Sequence, residues 1–84
     1  MQENDFLENV RKQFDETDPQ TIMMSSKFSE IDEWCSLVGL GVIAMIRDIY
    51  GVKLPLIKMK EVQSVMDLYL LVRNEMNSNE NSIR

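Results

Sequence analysis

Apolar side chains recur every three or four positions along most of the chain, the spacing that places them on one face of an α-helix. Asp5 and Glu8, three residues apart, are typical of a helix N-terminal cap pair. The pattern therefore predicts a first helix over residues 5–14, with a core face made of Phe6, Leu7, Val10 and Phe14. Residues 15–20 are polar, and Pro19 among them favours a turn over continued helix.

The connection from this turn to Cys35 is long for so small a domain, and loops of this length tend to be functional or packed down by their own side chains. Its apolar residues are spaced among polar ones in the manner of anchors. We expect an ordered loop that packs over the helices through Ile22, Met23, Phe28, Ile31 and Trp34.

A second helix is predicted from Ser36 to a C-terminal cap at Gly51. Residues 57–62 are typical of a short helical turn, and Ser64 with Asp67 predicts the cap of a last helix. The core face of the second helix is expected at Gly39, Val42, Ile43, Ile46, Ile49 and Tyr50, and that of the last at Val65, Leu68, Leu71 or Val72, and Met76. These elements predict one all-α domain over residues 1–76, followed by a disordered polar tail over residues 77–84.

Composition narrows the functions open to a chain of 84 residues. Its net charge of -5 argues against nucleic acid or an anionic membrane as the main partner and favours a protein with a basic face. A chain without His and with one Cys can build neither a His-based triad nor a zinc cluster. We expect no metal site, because the acidic run at residues 15–18 also lacks the Gly and Glu of an EF-hand loop.

The chain contains neither a signal-peptide pattern nor a stretch of the roughly 20 apolar residues that span a bilayer. We therefore expect a soluble, cytoplasmic protein that acts as a monomer. No nucleophile and base pair can be assembled from its residues, so no catalytic activity of its own is expected.

Three segments at the predicted helix boundaries carry the most specific pattern. Residues 28–37, FSEIDEWCSL, resemble the F-x-x-L/I-x-x-W/G-D-S-L segment of acyl carrier proteins. Residues 50–55, YGVKLP, are similar to the aromatic-G-V/I-x-L/I-P segment that follows helix two in that family. Residues 64–68, SVMDL, are similar to its T-V-x-D-L start of the last helix. The resemblance covers about residues 5–76 of the chain.

The resemblance implies a four-helix acyl-carrier-protein-like bundle with three long helices, one short helix and a long loop after helix one. It also implies that Ser36 receives a 4'-phosphopantetheine arm whose thiol carries acyl groups as thioesters, in fatty-acid, polyketide or related biosynthesis. The implied partners are a phosphopantetheinyl transferase and acyl-transferring or condensing enzymes. From the residues alone, Ser36 could equally be a plain helix N-cap.

The face of helix two that the family uses for docking differs here. Family members commonly place several carboxylates along it, whereas Asp48 is the one acidic residue of this helix. We expect Val38, Gly41, Arg47 and Asp48 to point outward and Leu37, Leu40 and Ala44 to form an apolar seam beside Ser36, so that all seven are candidate partner-binding residues. Lys53, Lys58 and Lys60 are interpreted as solvated surface.

The chain also departs from the family immediately before the serine, where Cys35 replaces the family's Asp. Cys35 is expected to be a passive, partly buried residue, since no His is present to activate its thiol. The departure leaves an alternative function open, that of a protein-interaction module which keeps the carrier fold and is never modified.

Overall fold

A computed structural model describes residues 2–82 of the chain, with side chains described through residue 77. Four α-helices follow one another: α1 (Glu3–Arg11), α2 (Ser36–Tyr50), α3 (Leu56–Glu61) and α4 (Val65–Ser82). The described part of the chain has no β-strand, only an isolated antiparallel bridge between Lys27 and Ser64. The predicted all-α class is therefore confirmed, as are the number and order of the helices.

Helix α1 is shifted toward the N-terminus relative to the prediction. The predicted cap at Asp5 is wrong, because Gln2 occupies the cap position and forms no side-chain cap hydrogen bond. Asp5 instead lies in the first turn, where its charge suits the positive end of the helix dipole. The helix ends at Arg11, after which the N–H groups of Gln13 and Phe14 bond to carbonyls three residues back and tighten the chain into a turn.

The long loop is ordered, as its anchors predicted. Two short 3-10 turns, Pro19–Thr21 and Phe28–Glu30, divide it. Ile22 and Phe28 are buried, whereas the prediction for Met23 is wrong because this side chain is half exposed. The Met23 backbone N–H bonds to Ser26 Oγ at 2.8 Å in a tight turn, which leaves its side chain on the surface.

The second half of the loop pairs with the connection between α3 and α4. Phe28 N–H donates to the Gln63 carbonyl at 2.9 Å, Val65 N–H to the Ser26 carbonyl at 3.1 Å, and Met66 N–H to the carbonyl of residue 24 at 2.8 Å. The last two of these bonds satisfy N–H groups in the first turn of α4 that have no partner inside the helix. They hold the loop against the start of α4.

The core forms where α1 packs on α2 and α4 and where α2 packs on α3. Phe6 is fully buried there, with its ring centroid 5.7 Å from that of Tyr50 and 5.6 Å from that of Tyr69. Ile49 departs from its predicted core position and is half exposed in the last turn of α2. The other fully buried large side chains are Phe28, Ile22, Ile46, Leu68, Val10, Val42, Val52, Val65 and Val72.

Two predicted helix termini are confirmed by their backbone geometry and hydrogen bonds. Gly51 ends α2 in the left-handed region, at a φ of 70°, and its N–H bonds to the Arg47 carbonyl. At the start of α4, Asp67 N–H donates to Ser64 Oγ at 3.1 Å, and the Asp67 carboxylate accepts the Ser64 N–H at 3.2 Å.

Helix α4 continues past residue 76, the predicted end of the domain, as far as Ser82. Residues 83 and 84, the end of the predicted tail, lie outside the described residues. Within residues 2–82, none of the helices is both long enough and apolar enough to cross a membrane.

Candidate functional site

Ser36 is the first residue of α2 and lies at the end of the ordered loop. Cys35 occupies the cap position in an extended conformation, and its carbonyl accepts the Gly39 N–H at 2.9 Å. The interpretation of Ser36 as a plain N-cap is therefore wrong, because the helix begins at Ser36 itself, one residue earlier than a cap at Ser36 requires. Cys35 is exposed, so its predicted partial burial is also wrong.

The Ser36 hydroxyl is free to react or to bind. Its side chain is exposed and forms no hydrogen bond within the described part of the chain. The backbone N–H groups of residues 36–38 also have no acceptor among the described residues, and no side chain caps them. Unpaired N–H groups and the helix dipole together make the start of α2 favourable for a negatively charged group.

Ser36 borders a cavity of about 590 Å³ between the start of α2, helix α3 and the end of the loop. This volume lies within the usual range for small-molecule sites. Its wall is mixed: Lys27 and Lys60 supply positive charge, and the apolar part is formed by Phe28, Trp34, Leu56, Met59 and Val62. The cavity could hold an apolar chain that begins at Ser36.

Trp34 organises the wall of this cavity from the loop side. Its ring stacks on Phe28 with centroids 4.5 Å apart and also contacts Phe14 at a centroid distance of 6.3 Å. The predicted role of Trp34 as a loop anchor near the start of helix two is therefore confirmed. A Cβ atom on Gly39 would lie 3.6 Å from the Trp34 ring, so the helix passes close to the indole.

Glu33, the residue before Trp34, is bound to the turn at residues 15–17 by a set of contacts that the residue pattern did not predict. Its carboxylate accepts the Thr17 hydroxyl at 2.7 Å and the N–H groups of Asp15, Glu16 and Thr17 at 2.8, 3.1 and 2.9 Å. The Thr17 hydroxyl, supported by the three N–H groups, holds the pKa of Glu33 below its usual value against the opposing effect of desolvation. The sequence shows that Glu33 is an acidic residue in the family-like segment, but no local pattern links it to a turn sixteen or more residues earlier.

The predicted apolar seam lies on the surface of α2. Leu37 and Leu40 are strongly exposed, and Ala44 on the same side is partly exposed. Arg47 and Asp48 are also exposed, with Arg47 Nε 3.4 Å from Asp48 Oδ1. The seam and the ion pair thus share one side of the helix; the seam begins beside Ser36, whereas the ion pair lies about three turns farther along α2.

Two of the seven predicted partner-binding residues do not point outward as expected. Val38 is partly buried and packs against the hydrophobic core. Gly41 is partly buried and faces the turn that follows α1, where a Cβ atom would lie 3.4 Å from Gln13 Oε1. The reason is geometric, since these two positions lie toward the flank of α2 that packs on the rest of the bundle.

The chain was compared with models of protein families, with curated proteins and with solved structures, and none of the three comparisons found a match. The arrangement of residues around Ser36 is therefore the basis for an inference about function.

Proposed function

We propose that the chain is an acyl carrier protein in which Ser36 is the attachment residue for 4'-phosphopantetheine. The observation that carries the proposal is that Ser36 is exposed, without a hydrogen bond, at the start of a helix and beside a cavity with both apolar and basic side chains in its wall. When attached, the group would supply a terminal thiol that holds acyl groups as thioesters for fatty-acid, polyketide or related biosynthesis.

The residues around Ser36 suit the two chemically different ends of such a group. The free N–H groups of residues 36–38 and the ammonium groups of Lys27 and Lys60 favour a phosphate ester at the serine. Phe28, Trp34 and Met59 offer an apolar wall to a chain that continues from it. Each half of the site therefore has a chemical counterpart in the proposed group.

The chain would depend on partner enzymes because its own nucleophilic groups lack a base. The thiol of Cys35 and the hydroxyl of Ser36 have no His to act as a base anywhere in the sequence. What the chain does contribute is position, because α2 and the Glu33-bound loop hold Ser36 at an exposed corner that a transferase or a condensing enzyme can reach. We accordingly propose a carrier without catalytic activity.

One experiment tests the attachment directly. The full chain is incubated with coenzyme A and a set of phosphopantetheinyl transferases, including the native one, and its intact mass is measured. We expect a gain of one arm on the wild type and none on Ser36→Ala. Ser29→Ala is the matched control, because Ser29 is exposed and borders the same cavity but lies outside α2. A wild type whose mass stays unchanged with every transferase refutes the proposal.

Cys35 favours a second candidate function, that of an unmodified interaction module with a carrier-like fold. A thiol at the cap position forms no side-chain cap hydrogen bond and adds no negative charge, unlike the Asp of the resembled family. Cys35→Asp distinguishes the two candidates in the same mass assay. If this change alone allows modification of Ser36, the natural chain is an interaction module; if the wild type is already modified, it is a carrier.

A further inference from the structure

The surface next to Ser36 combines exposed apolar side chains from two helices. On α2, Leu37 is 77% exposed and Leu40 is 50% exposed, three residues apart on one side of the helix. On α3, Leu56 is 37% exposed and borders the Ser36 cavity, and Ile57 beside it is 66% exposed. We call these four side chains the apolar patch. Exposed apolar side chains grouped around one site mark interaction surfaces more often than free surface.

Positive charge accompanies the apolar patch, although the chain as a whole is acidic. Residues 36–62 contain four basic residues against two acidic ones, whereas residues 2–35 contain nine acidic residues against three basic ones. Lys53, Lys58 and Lys60 are exposed and form no ion pair within the described part of the chain. Arg47 already pairs with Asp48, so these lysines dominate the charge around α3.

We infer that the apolar patch and its lysines dock onto a partner protein whose contact surface is apolar at its centre and acidic at its rim. This partner has a charge opposite to the one that net charge alone suggested, because the docking face is locally basic. Complementary charge speeds encounter and disfavours basic partners, while burial of the four apolar side chains supplies the stabilisation. The inference rests on the proposed function only in taking the partner to be an enzyme that acts at Ser36.

A protein fits this face better than an anionic bilayer does, although a bilayer also attracts apolar and basic side chains. Helix α3 is six residues long, less than two turns, and offers little surface to bury in a lipid interface. The nine acidic residues of residues 2–35 would be repelled by anionic lipid headgroups.

The test uses the full chain and two synthetic amphipathic helical peptides, each with Leu along one face and with Glu or Lys along the other. Binding is followed by the fluorescence of Trp34, the single tryptophan, and by backbone amide shifts. We expect the Glu peptide to bind with amide shifts at the apolar patch. The double variant Lys58→Glu, Lys60→Glu should weaken binding roughly tenfold, and added salt should weaken binding to the wild type.

Matched variants separate docking from folding and from modification. Lys12→Glu with Arg73→Glu changes the net charge by the same amount away from the apolar patch and should leave binding unchanged. Leu37→Ser should weaken binding without loss of stability, because its side chain is already largely in water. Ser36→Ala abolishes modification but should leave peptide binding intact, so failure of the carrier proposal and failure of the docking inference give different results.

Five results overturn the docking inference. Three come from the peptides: equal or tighter binding of the Lys peptide, no binding of either peptide, and no effect of reversing Lys58 and Lys60. The other two are preferential binding of the chain to phosphatidylglycerol vesicles and self-association of the chain through the same patch.

Discussion

Gly41 and Gly51 are expected to respond in opposite directions to the same substitution, alanine. Gly51 ends α2 with a φ of 70°, a conformation that costs an L-residue about 1–2 kcal/mol. Alanine also restricts the unfolded chain, which offsets about 0.4–1 kcal/mol of that cost. No atom beyond its two chain neighbours lies within 4 Å of a Cβ built at Gly51, so the backbone conformation decides the result. We expect Gly51→Ala to lower the free energy of unfolding by roughly 1 kcal/mol.

Gly41 lies inside α2 with ordinary helical geometry, where alanine is favoured over glycine by about 1 kcal/mol. The nearest atom to a Cβ at Gly41 is Gln13 Oε1 at 3.4 Å, the end of a flexible side chain that can move by a small amount. We therefore expect Gly41→Ala to raise the free energy of unfolding by about 0.5–1 kcal/mol. The two variants should differ by roughly 2 kcal/mol although the chemical change is identical.

Urea unfolding monitored by far-ultraviolet circular dichroism measures both variants. The midpoints should move in opposite directions with unchanged slopes, and Trp34 fluorescence should report the same transitions if unfolding is two-state. In thermal melts, each kcal/mol of change in the free energy of unfolding shifts the melting temperature by about 4–8 °C for a domain of this size. Gly51→Asn is the control, because Asn tolerates the left-handed region better than Ala and should recover part of the loss.

Two results would refute the reasoning. If Gly51→Ala is as stable as the wild type, a residue that favours the left-handed conformation is not needed at the end of α2. A less stable Gly41→Ala would mean that Gln13, whose Nε2 bonds to the Asn9 carbonyl, cannot yield to the added methyl group.

Three further predictions concern the loop and the last helix. Because the pKa of Glu33 is lowered in the fold, its contribution to stability is present above its ordinary pKa of 4.5 and is lost as the pH falls through the folded value. The difference in urea midpoint between wild type and Glu33→Gln should therefore be constant near pH 7 and shrink below about pH 4.5; a difference independent of pH would contradict this. Ser64→Ala should cost about 1 kcal/mol by removing the acceptor of Asp67 N–H, and calorimetry should show no comparable loss in Ser29→Ala. Phe28→Ala should lower the free energy of unfolding by about 3–5 kcal/mol. This loss is close to the lower end of the roughly 4–12 kcal/mol expected for the whole domain. A melting temperature near that of the wild type would show that Phe28 is not part of the core.

Helix order, helix type and most of the core could be predicted from the sequence because they depend on local periodicity. The apolar stripes of α2 and α4, the glycine at residue 51 and the pairing of Ser64 with Asp67 each involve residues within a few positions of one another. The start of α1 was misplaced by the same kind of reasoning. A favourable cap residue at Asp5 does not prevent the helix from starting two residues earlier, where no side chain caps it.

The candidate site could be predicted in part. Its serine and the neighbouring seam of Leu37 and Leu40 followed from a resemblance between short segments, and the structure places them together at one exposed end of α2. The cavity could not be predicted, because its wall combines the loop, α2 and α3 from positions as far apart as Lys27 and Gln63.

The sequence by itself determined which segments are helical, which faces are apolar and that no histidine is available for chemistry, since these depend on residue type and short-range spacing. The tertiary structure alone decided that Cys35 takes the cap position, that Glu33 binds the turn at residues 15–17, and that unpaired lysines flank the apolar patch. These features depend on how helices and loop meet in space, and contacts across sixteen or more positions leave no periodic signal in the order of residues.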